Sequence, residues 1–126
     1  MSLDIYKEII LDHYKHPRNF GHLPREGTVA QVNNPLCGDD ITMELEITNN
    51  KVVDIRFHGQ GCAIAIASAS LLTEFAKNQK LTTLTTMNKD SMLELLSVEL
   101  SPNRLKCALV SLEALQKAIK THGLHT

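Results

Sequence analysis

Ile41-Thr42-Met43-Glu44-Leu45-Glu46-Ile47-Thr48-Asn49-Asn50-Lys51-Val52-Val53-Asp54-Ile55-Arg56-Phe57-His58 is the stretch that decides the fold. Ile41, Met43, Leu45 and Ile47 alternate with Thr42, Glu44, Glu46 and Thr48. Beyond Asn49-Asn50-Lys51, Val53, Ile55 and Phe57 alternate with Asp54, Arg56 and His58. A period of two puts apolar residues on one face of a strand and polar residues on the other. The asparagine-rich break between the runs predicts a hairpin with one apolar and one wet face. Upstream, Thr28-Val29-Ala30-Gln31-Val32 reads as a further short strand within a loop-like region over 20–36.

Downstream of the hairpin the pattern changes. Ala63-Ile64-Ala65-Ile66-Ala67-Ser68-Ala69-Ser70-Leu71-Leu72 is small or apolar on nearly every side, which predicts a buried helix from Cys62 to about Lys77. Residues 78–101 are polar and threonine-rich, with a short helix around Ser91–Leu96. Ser101-Pro102 supplies an N-cap and a first-turn proline for a last helix with Leu105, Leu109, Leu112, Leu115 and Ile119 as its apolar positions. At the other end, Leu3, Tyr6, Ile9, Ile10 and Tyr14 recur at helical spacing and His16-Pro17 stops the run. Strands before helices, without a strand–helix–strand alternation, predict an α+β fold.

The chain has 126 residues, 43% of them hydrophobic, and a formal charge of −1. That is enough for one core and too little for two ordinary domains, so residues 1–126 are expected to form one unit. Interspersed charge argues against a nucleic-acid partner. No stretch is long and apolar enough to span a bilayer, and Met1–Glu8 has no secretory pattern, so the expectation is a cytoplasmic protein with no membrane partner.

Three cysteines are present. An odd number cannot be consumed by a closed disulfide framework. Cys37 sits in Asn34-Pro35-Leu36-Cys37-Gly38-Asp39-Asp40, Cys62 follows Gly59-Gln60-Gly61, and Cys107 lies in Arg104-Leu105-Lys106-Cys107-Ala108. Each falls where an element begins or ends. Cys62 and Cys107 fall near predicted helix N-termini, where the dipole and unpaired N–H groups favour thiolate. Three thiolates with the Asp39 carboxylate make a four-ligand set that suits tetrahedral zinc or an iron–sulfur cluster. Asp40 competes with Asp39 for the oxygen position. Of the six histidines, only His58 is retained as a further site candidate. His13 and His16 are expected to close the first helix at its negative end.

These residues resemble the U-type iron–sulfur cluster assembly scaffold family, the IscU, SufU and NifU N-terminal domains. The resemblance rests on Tyr6–Tyr14 with His16-Pro17-Arg18-Asn19, on Asn34–Asp39, on Phe57–Ile64 with Ala67-Ser68-Ala69-Ser70, and on Lys106-Cys107-Ala108. It implies a three-stranded antiparallel sheet packed against a layer of about four to five helices. It also implies a site of Cys37, Asp39, Cys62 and Cys107 that holds zinc, iron or a transient 2Fe–2S or 4Fe–4S cluster. Sulfur would come from a pyridoxal-phosphate cysteine desulfurase, and the product would pass to a cluster acceptor or assembly complex.

Lys106 stands where the IscU branch has histidine, and Ser101-Pro102-Asn103-Arg104-Leu105 replaces that branch's chaperone-recognition stretch. The site is closest to the SufU branch, yet residues 63–106 leave no room for the insertion that SufU proteins carry. Cys107 is the expected sulfur acceptor, and Lys106 its electrostatic support outside the ligand set. Either a scaffold or a zinc-dependent sulfurtransferase fits this resemblance. A structural zinc-binding interaction module and a metal-free thiol redox sensor are the competing readings.

Overall fold

The computed structural model describes residues 3–35 and 38–124, with side chains from residue 7 onward and up to 123. The elements run α1 (Leu3–Lys15), β1 (Thr28–Asn34), β2 (Asp39–Thr48), β3 (Lys51–Gln60), α2 (Ala63–Ala76), α3 (Leu81–Thr85), α4 (Lys89–Leu96) and α5 (Pro102–Leu124). The sheet is antiparallel in the order β1-β2-β3. The fold is α+β, a three-stranded sheet with five helices.

Asn49 and Asn50 both take the left-handed conformation, with φ of 53° and 59°, as a tight two-residue hairpin turn requires. Register slips between Glu46 and Ile47, because Glu46 pairs with Asp54 while Ile47 pairs with Val52. Val53 is the extra residue of a β-bulge. The expected core row Val53, Ile55, Phe57 is therefore corrected to Val52, Ile55, Phe57, all fully buried, because the bulge shifts the strand by one side-chain position. Opposite them Ile41, Met43 and Leu45 are also fully buried. Each such side chain stabilises the fold by about 1.5–3 kcal/mol. α5 covers β1 and β2, and α2 packs on β3, α1 and α5.

α2 is buried nearly all round, from Ile64 to Ala76, as its composition implies. The run of Ala and Ser lets helices approach it from two sides. α1 lies on α2, and the contact row on α1 differs from the expected one. Ile10 and His13 are buried, while Ile9 and Tyr14 are exposed together with Leu11. α1 touches the body chiefly through one helix, so only a narrow stripe is covered. His13 does not serve the helix end. Its Nδ1 lies 2.6 Å from Ser70 Oγ, which also accepts the Arg18 N–H at 2.9 Å, so the pair ties the α1 exit to α2. Burial, aided by the Arg18 charge and opposed by Glu74 and Asp12, pushes the His13 imidazole below its usual range. It is neutral in the fold.

The polar stretch 78–101 holds one helix more than the sequence suggested. α3 follows an extended Lys80. α4 begins earlier than expected, because Asn88 caps it by accepting the Asp90 and Ser91 N–H groups while Ser91 Oγ accepts the Asn88 N–H. α5 starts as its Ser-Pro signal implies, with the Arg104 N–H bonded to Ser101 Oγ at 3.4 Å.

Candidate metal centre

One end of the molecule gathers the start of β2 and the N-termini of α2 and α5. Asp39 is the first residue of β2 and belongs to the core-facing row continued by Ile41 and Met43. Cys62 is the N-cap of α2 and is exposed. Cys107 lies in the second turn of α5, only 6% exposed, its Sγ 3.5 Å from the Asn103 carbonyl four residues back. A carboxylate oxygen of Asp39 and the sulfurs of Cys62 and Cys107 all lie within 4.8 Å of one another. Positions 23 and 45 residues apart in the chain are thus assembled by the packing of α2 and α5 over the sheet.

Asp39 is completely buried. Its Oδ1 accepts the Cys62 backbone N–H at 3.0 Å, which holds the carboxylate against the start of α2. Its Oδ2 is also buried and accepts no hydrogen bond among the described residues. Leaving such an acceptor unsatisfied costs about 1–3 kcal/mol, and more for a charged group. A cation bound there removes that cost. The donor set fits, because zinc–sulfur bonds of about 2.3 Å and zinc–oxygen bonds of about 2.1 Å place tetrahedral donors roughly 3.5–3.8 Å apart.

Gly61 makes room for this arrangement. A Cβ at that position would come within 2.7 Å of Asp39 Oδ1 and 3.1 Å of the Ala65 Cβ. Before Asp39 the chain turns at Gly38, whose φ of 73° suits glycine and whose N–H reaches the Asn34 carbonyl at 2.8 Å. Cys37, the remaining expected sulfur ligand, lies outside the described residues.

Asp40 does not compete for the centre. Its side chain is on the opposite sheet face, where Oδ1 accepts from Gln31 Nε2 at 2.7 Å. His58 is likewise absent from the cluster. It faces away from the helices and contacts Glu44. Lys106 is exposed and lines a hollow with Asn33, Asn34 and Pro35, outside the Asp39, Cys62 and Cys107 cluster.

The two thiols open into a largely apolar cleft of about 660 Å³, lined also by Lys7, Leu11, Ala63 and Arg104. Lys7 and Arg104 bring positive charge to its wall, and α2 directs its positive dipole end there. Lys7 carries no site signal of its own in the sequence. Its place at a helical position two turns before Tyr14 gave no sign that α1 would border a cysteine site.

The NifU-like N-terminal domain model matches residues 5–125. This chain belongs to that family. The zinc-dependent sulfurtransferase SufU of Bacillus subtilis is 36% identical, with 91% of this chain and 89% of that protein covered. The alignment spans 132 positions, more than the 126 residues here, so that relative carries residues this chain lacks. The iron–sulfur cluster assembly scaffold protein IscU 1 of Archaeoglobus fulgidus is 34% identical over 91% of this chain and 74% of its own length. Among solved structures, FiSufU from Fervidobacterium islandicum AW-1 superposes with a TM-score of 0.76 at 25% identity, covering 94% of this chain and 99% of that one.

Proposed function

We propose that this chain is an iron–sulfur cluster assembly protein whose centre of Cys37, Asp39, Cys62 and Cys107 accepts sulfur and holds metal. The observation that carries this reading is a fully buried Asp39 oxygen, without a hydrogen bond among the described residues, beside two thiols at an open cleft, in a chain of the NifU-like family. Residues 1–126 act as one unit in the cytoplasm. The sulfur donor is a pyridoxal-phosphate cysteine desulfurase, and the recipient is a cluster acceptor or assembly complex. The cargo is a 2Fe–2S or 4Fe–4S cluster, or the sulfur alone.

Cys107 is the acceptor in this reading. Its thiolate attacks the terminal sulfur of the desulfurase persulfide. The new sulfur–sulfur bond forms as the old one breaks, and the desulfurase cysteine leaves as thiolate, so the transfer needs no outside oxidant or reductant. Arg104 and Lys7 on the cleft wall favour the anionic persulfide, and the apolar lining that includes Leu11 and Ala63 leaves the cleft open to an incoming partner. Lys106, the chain neighbour of Cys107, adds positive charge and, as a protonated amine, is no ligand. Zinc, when bound, supplies a charge that keeps its cysteine ligands deprotonated. Asp39 contributes a hard oxygen that grips a thiophilic metal less firmly than a fourth thiolate would, which suits release of cargo. A closed structural zinc knuckle is disfavoured by the exposure of Cys62.

The test is incubation with a cysteine desulfurase and cysteine, followed by mass spectrometry. A mass gain of one sulfur on the wild type that disappears in Cys107→Ser supports the reading. Zinc retention without sulfur uptake would make the chain a structural zinc module.

A further inference from the structure

On the sheet face turned away from the helices, a second group of ligand-type side chains converges. Glu44 stands on β2 and His58 on β3, in the outward row that alternates with Met43 and Phe57. His22 comes from the strap that follows α1. That strap is fastened to β3, because the Gly21 N–H reaches the Phe57 carbonyl at 2.8 Å and the Phe57 N–H reaches the Asn19 carbonyl at 2.9 Å. The Leu23 N–H donates to Glu44 Oε1 at 3.0 Å, which fixes the carboxylate and leaves Oε2 as the shared partner of two imidazoles. His22 Nδ1 is 2.7 Å and His58 Nε2 is 2.9 Å from that one oxygen. The rings lie with centroids 4.3 Å apart and tilted by 42°.

We propose that His22, Glu44 and His58 form a second divalent-metal site, of the zinc class, separate from the cysteine centre. Three donor atoms within 4.8 Å of one another present two imidazole nitrogens and one carboxylate oxygen. Imidazole nitrogens suit zinc and its neighbours in the first transition row. Zinc bonds of about 2.0–2.1 Å would set tetrahedral donors roughly 3.3 Å apart, so each imidazole need withdraw from Glu44 by only about half an ångström.

The ion takes the place of the ring protons that now bridge to Glu44. Each metal-bound neutral imidazole carries its single ring proton on the far nitrogen, Nε2 of His22 and Nδ1 of His58. Two ligands sit on paired strands, and the Leu23 N–H already orients the third, so little ordering remains to be done on binding. Among the described residues three protein ligands are in reach, and His22 is 73% exposed against 29% for His58 and 13% for Glu44. The fourth vertex is open to water, and the ion should exchange more readily than one at the cysteine centre.

The test is zinc titration by calorimetry of the full chain, stripped of metal and kept reduced, with cobalt absorption as a second readout. Two binding events are expected in the wild type, the weaker one showing no thiolate-to-cobalt charge-transfer band. His58→Asn and Glu44→Gln should each weaken that event by about tenfold or more and leave the stronger one unchanged. His22→Asn, on the exposed strap, gives the same comparison should a strand variant fold poorly. Glu46→Gln, on the same sheet face, should leave both events as they are. A single binding event in the wild type, a thiolate band on the weaker event, or its persistence in both histidine variants would overturn the proposal.

Discussion

The two faces of the sheet carry two ligand clusters of opposite character. At the helix-covered end, Asp39 is buried with one oxygen unsatisfied among the described residues, and its neighbours are sulfurs drawn from two helix starts. On the open face, both Glu44 oxygens are engaged by the Leu23 N–H and two imidazoles. The first cluster is held short of a partner by the packing around it, whereas the second is satisfied as it stands. A buried acceptor with nothing to bond makes the metal-free state costly, so ion binding there should couple strongly to stability. The exposed cluster gains from an ion only what zinc offers beyond three hydrogen bonds already made.

The sharpest break between the two comes from removing a sulfur. Cys62→Ser and Cys107→Ser should each lower affinity at the buried centre by about 100-fold or more, as read by competition with a chelator, while zinc uptake on the outer face stays intact. Next in size is the coupling to folding. At zinc concentrations near 100 times the dissociation constant, the buried site should add about 2.7 kcal/mol to wild-type stability in urea unfolding. Asp39→Ala should lose most of this increment, whereas Glu44→Gln should keep it. An equal loss in both variants would erase the distinction drawn between the faces.

Gly61→Ala offers a finer probe. The added methyl would meet Asp39 Oδ1 at 2.7 Å, so the carboxylate must shift. Zinc affinity should fall by about tenfold, with the fold retained by circular dichroism. Lys106→Ala is smaller again. Metal stoichiometry should not change, while stopped sampling with mass spectrometry should show slower sulfur acceptance.

The smallest effect concerns the neutral, buried His13, which faces Ser70, Glu74, Arg18 and Asp12. Its folded-state pKa is depressed, so between that value and about 6.5 the unfolded chain binds more protons than the native one. Stability from this residue is present above pH 6.5 and falls as pH drops through that window. Urea midpoints at pH 7 and 5.5 should differ less in His13→Asn than in the wild type. Glu44 also has a depressed pKa, because the Leu23 N–H and the two imidazoles outweigh the upward push of burial. Its contribution holds above the ordinary carboxylate range and is lost only under stronger acid.

Much of this architecture could be read from residues. Alternation in 41–58 predicts the hairpin, and Ala63–Leu72 predicts a helix buried all round. Other features depend on contacts that no local pattern encodes. Val53 and Val52 are chemically alike, so nothing in the sequence says which one the bulge turns inward. The α1 stripe differs because Ser70, far along the chain, offers His13 a partner and draws that face inward. At the centre, Asp39 and Asp40 are indistinguishable as letters, and strand parity separates them once Ile41 is set in the core row. Cys62 and Cys107 were legible through their glycine and helix-start contexts. His22 and Glu44 were not, because their meeting depends on the strap 19–23 running along β3.

The central claim is that Asp39, Cys62 and Cys107, together with Cys37, form a centre that takes up sulfur. Intact-protein mass spectrometry after incubation with a cysteine desulfurase and cysteine tests it most directly. The account predicts one added sulfur that reductant removes, mapped to Cys107 by peptide analysis and absent in Cys107→Ser. A wild-type protein that remains at its unmodified mass while the desulfurase turns over, or that carries the sulfur unchanged in Cys107→Ser, would contradict it.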